Sequence, residues 1–231
     1  MHACLLKVPW SGSGKGLNWC LHGFTKPVSN WCERVLREQG CLTAEPIYNK
    51  VKDFALEFYS DGRGEVRFAG YSVFSTNEHG AYTGNLLASD GQIEESIACC
   101  LSLEKLTGIR EALRAELASI YGNTYTGYLG VDMMVCRSDK ENGYRVHPCV
   151  EINMRMNMGV VARLFYDRFV ALGSKGCFAV EYVPDNETLR ARHEQDVHDY
   201  PLTVEQGRLA SGYLPLVPVT GKSCYRAYVR I

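Results

Sequence analysis

Two carboxylates and an amide near the middle of the chain have the types and spacing to hold a metal ion. Within His147–Gly159, Val150 and Ile152 alternate with Cys149, Glu151 and Asn153, the two-residue period of a half-buried strand. Residues i and i+2 of a strand share a face, so Glu151 and Asn153 project together. A carboxylate beside an amide oxygen, on rigid backbone, offers hard ligands suited to Mg2+. Tyr128–Cys136 reads as an antiparallel partner, joined by the polar run 137–143 that ends in Asn142-Gly143. With Asn142 and Gly143 at the turn centre, Asp132 falls opposite Asn153; with the centre one residue earlier, it falls opposite Glu151. Either odd-sum register gathers Asp132, Glu151 and Asn153 on one face, and an even-sum register separates them. The competing reading makes Glu151 and Asn153 only the solvated face of an amphipathic strand.

A second constellation lies near the start. The apolar strand Ala3–Lys7 runs into Val8-Pro9-Trp10-Ser11-Gly12-Ser13-Gly14-Lys15-Gly16. Alternate glycines let a backbone turn sharply and aim several N–H groups at one anion, such as a phosphate. Glycine rather than Ser/Thr follows Lys15, so this is not a Walker A loop. Its bland reading is a flexible hairpin turn, against which stand the two lysines, Lys7 and Lys15.

The remaining periodicities supply scaffold. Pro27–Gly40 reads as a helix with Ser29 or Asn30 at its start and Gly40 at its end. Cys41–Tyr48 reads as a strand that meets Pro46. Asp53–Tyr59 and Glu65–Phe74 alternate about Asp61-Gly62-Arg63-Gly64, the pattern of a hairpin. From Asp90 to Tyr121 the period is helical, broken near Gly108; Gly159–Leu172 is a further helix and Cys177–Val183 a strand. The charged run Pro184–Tyr200 reads as a mobile excursion, with His193 and His198 as surface histidines. Tyr213–Val219 and Cys224–Ile231 read as a closing hairpin.

The composition is ordinary: 231 residues, 46% hydrophobic, 22% charged, formal net charge -1. That balance points to neither nucleic acid nor an anionic membrane as a partner. No apolar run approaches the ~20 residues of a membrane span. The N-terminal apolar stretch is short for a secretory signal. Ten cysteines without a C-x-x-C pair suggest reduced thiols and a cytoplasmic protein.

An apolar strand ending in lysine, a Gly/Ser-rich loop, a strand ending in Glu-Pro and an acidic strand pair with Glu-x-Asn together resemble the ATP-grasp superfamily, over residues 3 to 172. The resemblance implies an α+β fold of two lobes, antiparallel sheets flanked by helices, with ATP between them. The small N-terminal lobe is expected over 1–48 and the larger over 49–231. It further implies that Lys7 touches the α/β-phosphates and that Ser11, Gly12, Ser13, Gly14, Lys15 and Gly16 close over the β/γ-phosphates. Glu45, Pro46 and Ile47 would form the adenine hinge, and Asp53, or else Glu57, would bind the ribose. Asp132, Glu151 and Asn153 would hold Mg2+, or Mn2+ in its place. Arg155 and Lys15 would stabilise the transferred phosphoryl group. Many members carry an arginine two residues before the strand acid; that position is Gly130 here, and Arg67 is expected to supply the charge.

The activity implied is ligation: a small-molecule carboxylate is activated as an acyl phosphate and attacked by an amine or thiol. The alternatives are a non-catalytic ATP-binding module and a small-molecule kinase on the same scaffold. Members usually carry a further N-terminal domain before the lysine strand, so a missing domain or a partner chain is expected to complete the acceptor site.

Overall fold

Alternating stretches fold as strands and 3.6-period stretches as helices in the computed structural model, which describes residues 3–12, 16–77, 80–138 and 143–231. The chain divides into two compact units, Met1–Asn49 with Thr76–Tyr82, and Lys50–Ser75 with Thr83–Ile231.

The first unit is built on β1 (Cys4–Lys7), β2 (Leu17–Cys20), α1 (Lys26–Gln39) and β3 (Thr43–Pro46). The strands form an antiparallel sheet in the order β2-β1-β3. Leu6, Cys20 and Cys32 are its buried centre, with Val28, Trp31 and Leu42 packed around them. Pro27 lies in the first turn of α1, so the helix starts after Thr25, earlier than a cap at Ser29 or Asn30 would set it. Gly40 ends it in the left-handed conformation, its N–H bonded to Leu36.

The second unit begins with β4 (Lys50–Asp61), β5 (Val66–Thr76) and β6 (Tyr82–Leu87). Then come α2 (Asp90–Ala98), α3 (Leu103–Tyr121), β7 (Thr126–Arg137), β8 (Tyr144–Asn153), α4 (Met158–Phe169) and β9 (Gly176–Tyr182). It closes with α5 (Asn186–Asp199), β10 (Thr203–Glu205), β11 (Arg208–Ser211), β12 (Tyr213–Pro215) and β13 (Tyr225–Arg230). Eight strands form one sheet, ordered β12-β13-β9-β6-β5-β4-β7-β8, and β10 pairs with β11 separately. On one sheet face Phe54, Leu56 and Phe58 of β4 and Leu129, Val131 and Met133 of β7 pack against Ile93 and Ile97 of α2 and Leu106 and Leu117 of α3. Strand alternation sends Asp53, Glu57 and Asp132 to the other face, where α4 lies.

Several expectations need correction. The helical stretch breaks at 99–102, where Ser102 caps α3, and not at Gly108. Gly108 is exposed on α3, where a glycine weakens a helix by about 1 kcal/mol without ending it. The run 184–200 is not an excursion. It forms α5, capped by the Asp185 carboxylate accepting from the Thr188 N–H at 2.9 Å, with Leu189 buried. Buried Arg226 donates to Glu181 at 2.7 Å and to Asp196 of α5 at 2.6 Å, so charges rather than an apolar stripe hold this helix. His193 is half-buried, its Nδ1 2.9 Å from the Tyr213 hydroxyl. The Asn142-Gly143 turn cannot be placed, because Asn142 lies outside the described residues.

All ten cysteines are free thiols. No helix among the described residues is long and apolar enough to cross a membrane.

One helix start gives a direct test of local physics. Ser89 accepts from the Gln92 N–H and Gln92 Oε1 accepts from the Ser89 N–H, a complete capping box for α2. Ser89→Ala is expected to destabilise the fold by about 1 kcal/mol, read as a lowered urea midpoint at unchanged slope.

Candidate active site

The acidic pair is assembled by register. Asp132 on β7 faces Glu151 on β8, and Gly130 faces Asn153. This is the second of the two odd-sum registers, and it shifts by a bulge between Asp132 and Met134. Asn153 is buried and donates through Nδ2 to Asp132 Oδ2 at 2.9 Å; Glu151, on the edge strand, is exposed. Burial pushes the Asp132 carboxyl up to about 7, and the facing Glu151 adds to the rise. The Asn153 amide and the Arg155 charge oppose it, while Asp53 adds to it.

Asp132 and Glu151 face each other across adjacent strands, and like charges so placed favour a cation beside them. Among the described residues no group of three or more His, Cys, Asp or Glu is placed to hold a metal. Asp132, Glu151 and Asn153 offer two carboxylates and an amide oxygen, too few for a closed protein cage. They fit Mg2+, which keeps waters and phosphate oxygens in its shell.

Arg155 follows two residues after Asn153, and its N–H bonds to the Asn153 carbonyl at 2.9 Å. Arg67 is not brought to this set. It stands opposite Tyr59, at the level of Tyr128 and four residues along β7 from Asp132, and its guanidinium is clasped by Glu65 at 2.7 and 2.8 Å. The reason Gly130 is not an arginine is steric. A Cβ there would collide with Glu57 Oε2 and Asn157 Nδ2, so any side chain would have to displace that bonded pair.

Asp53 lies on the same sheet face as Asp132, beside it across Ala55, and forms an ion pair with Lys50. Glu57, the other candidate for the ribose, is 1% exposed beneath α4, which removes it from ligand contact. Its Oε2 accepts from Asn157 Nδ2 at 2.9 Å, and Oε1 is buried with no hydrogen-bond partner among the described residues. Burial pushes its carboxyl up to about 8; the Asn157 bond pulls the other way and Asp132 adds a smaller rise.

In the first unit, Lys7 and Glu45 point to the same side of the sheet and form an ion pair at 2.6 Å. Val8 donates to the Gly16 carbonyl at 3.1 Å, which closes the base of the loop between β1 and β2. Gly16 has φ +76, and a Cβ there would strike Val8, so glycine is required at this closure. Ser11 Oγ donates to the Val8 carbonyl, and Gly12 is exposed. Ser13, Gly14 and Lys15 lie outside the described residues. Pro46 ends β3 opposite Cys4, and Ile47 follows it.

No protein-family model and no curated protein matches the sequence. Solved structures do match in three dimensions. Staphylococcus aureus N5-carboxyaminoimidazole synthetase, complexed with ADP, superposes with a TM-score of 0.55 at 12% identity, covering 98% of this chain and 57% of that one. The biotin carboxylase domain of Hydrogenobacter thermophilus 2-oxoglutarate carboxylase, with MgADP, ADP and bicarbonate, gives 0.56 at 13% identity over 100% and 53%. Carboxyaminoimidazole ribonucleotide synthase from Aspergillus clavatus, complexed with ATP, gives 0.53 at 12% over 99% and 58%. The chain thus spans somewhat more than half the length of these proteins. These superpositions take in 98–100% of this chain, which has the ATP-grasp fold.

Proposed function

We propose that the chain is an ATP-dependent ligase that activates a small-molecule carboxylate as an acyl phosphate for attack by an amine or thiol. The observation that carries this reading is Asp132 facing Glu151 with Asn153 donating to Asp132, two residues before Arg155. The similar proteins whose structures hold ATP, ADP or MgADP support the same choice of nucleotide and metal.

In this reading Lys7 and the Ser11–Gly16 loop engage the phosphates of ATP, and Glu45 with the backbone of Pro46 and Ile47 engages the adenine. Asp132, Glu151 and Asn153 hold Mg2+, which supplies charge neutralisation at the phosphates when bound. Arg155 stabilises the phosphoryl group as it moves; Lys15 is a second donor for that charge. The carboxylate oxygen forms a bond to the γ-phosphorus as the bond to ADP breaks. The amine or thiol then bonds to the acyl carbon, phosphate leaves, and the nucleophile gives up its proton. Little covalent help is needed for such a transfer, since positioning and charge do most of the work. Asp53, with its ion pair to Lys50 on the Asp132 face, fits a role near the metal set better than one at the ribose.

The test is incubation with Mg-ATP and pooled amino acids and small carboxylates. Acceptor-dependent release of ADP and phosphate is expected. A phosphorylated small molecule would make the chain a kinase, and nucleotide binding without turnover would make it a sensing module. Lys7→Ala is expected to raise KM for ATP about 10-fold or more, the scale of one charge-assisted hydrogen bond. An unchanged KM would remove Lys7 from the nucleotide.

A further inference from the structure

Arg155 sits midway between two asparagines, and each asparagine is tied to a carboxyl group of the sheet. Asn153 Nδ2 donates to Asp132 at 2.9 Å; Asn157 Nδ2 donates to Glu57 at 2.9 Å. Only residues 154–156 lie between these two anchors. Asn157 has a second task, since its Oδ1 accepts from the Val160 N–H at 2.9 Å and caps α4. One side chain thus joins strand β4 to the start of a helix and to the end of the segment that carries Arg155.

The room made for this link is unusual. Glu57 lies between Gly130 on β7 and Gly70 on β5, its partners on the two neighbouring strands. A Cβ at Gly130 would strike Glu57 Oε2 and Asn157 Nδ2. A Cβ at Gly159 on α4 would strike Glu57 Oε1 and crowd Ser72 Oγ. Ser72 in turn accepts from buried Asn85 at 2.6 Å. Glycine weakens strand and helix interiors by roughly 0.5–1 kcal/mol each, and a buried carboxyl with one oxygen unpaired costs more. A leucine at 57 would fill a similar volume with apolar atoms and no buried carboxyl. What leucine lacks is an acceptor for Asn157.

We propose that Glu57 is a positioning residue, fixing the 154–157 segment through Asn157 so that Arg155 is presented in one place. It rests on the ligase reading only for what Arg155 does once placed. The placement itself is independent of any nucleotide.

The experiment compares Glu57→Ala, Glu57→Gln and Asn157→Ser with the unaltered chain. Glutamine keeps an oxygen acceptor for Asn157. Serine keeps the cap on α4 but is too short to reach Glu57, and it leaves the sheet interior filled should Glu57→Ala fail to fold. Amide hydrogen exchange across 154–157 is expected to rise 10-fold or more in Glu57→Ala and in Asn157→Ser, with Glu57→Gln like the parent. Exchange in α2 and α3, on the opposite sheet face, is expected to stay unchanged. Binding is read with Mg-ADP, alone and with aluminium fluoride as a stand-in for the moving phosphoryl group. The affinity gained on adding aluminium fluoride is expected to fall 10-fold or more in Asn157→Ser and to be kept in Glu57→Gln, with Mg-ADP affinity the same in all. A purely structural Glu57 would lower stability and leave that gain untouched, which would overturn the proposal. So would exchange across 154–157 in Asn157→Ser equal to that of the parent. If the parent chain does not bind Mg-ADP, the ligase reading fails, and the exchange result alone decides the placement.

Discussion

Glu151→Ala is expected to lower Mg-ATP-dependent turnover about 10³-fold, on the order of 4 kcal/mol of transition-state stabilisation, while the fold stays intact. The reasoning turns on which member of the acidic set is removed. Asn153 is buried and bonded to Asp132, and Asp132 is itself half-buried, so losing either disturbs packing as well as charge. Glu151 is exposed on β8, the edge strand of the sheet, where truncation leaves no cavity. Its loss removes one of the two carboxylates that a divalent cation would share. It also removes the facing charge that helps raise Asp132. The variant should therefore melt as the parent does, bind metal-free ADP as the parent does, and lose the increment that Mg2+ adds. Turnover within 10-fold of the parent, at saturating Mg2+, would remove Glu151 from the metal and with it the basis of the ligase reading.

The acidic set was legible in the sequence because it depends on parity alone. Any odd-sum register places Asp132 with Glu151 and Asn153, so the unknown turn did not matter, and neither did the bulge that moves the register by two. What parity could not decide was which residue Asp132 faces. The glycine loop was legible as a turn for a similar reason, since Gly16 holds a φ of +76 that side chains rarely adopt, whereas the four-residue β2 after it went unread. β6 was missed because Gly84 and Asn85 interrupt its apolar pattern, yet both are required there. A Cβ at Gly84 would strike the β9 backbone, and Asn85 bonds to Ser72 across the sheet. α5 was missed because its anchors are ion pairs to β9 and β13, which leave no apolar stripe to read. Glu57 was misread for the opposite reason. An acid alternating with Phe54, Leu56 and Phe58 has the pattern of a solvated outer face, and nothing local reveals that α4 covers it. Gly130 and Gly159, far away in sequence, held the only hint, since strand and helix interiors seldom choose glycine without a close neighbour.

The covered acid has a second consequence, in the pH dependence of folding. An unfolded glutamate titrates near ~4.3, and burial carries Glu57 up to about 8 in the folded chain. The native state therefore keeps a proton that the unfolded state releases. Its contribution to stability is whole below the unfolded value and is lost as pH climbs through the folded one, so stability falls between about pH 4.5 and 8. Integrated from pH 5 to 8, the loss from this one group is on the order of 3 kcal/mol. Asp132, raised to about 7, adds a loss of the same sign in metal-free buffer, with Asp53 strengthening it and Arg155 weakening it. Glu57→Gln stays neutral at every pH and still accepts from Asn157. Urea unfolding in EDTA should then show the two proteins close in stability at pH 5. At pH 8 the glutamine variant should be the more stable by a few kcal/mol, with the remaining slope left to Asp132. Parallel curves for the two proteins would mean that Glu57 loses its proton at no cost. That result requires a path for water or a cation to its carboxyl, and α4 would then have to lift from the sheet within the native ensemble.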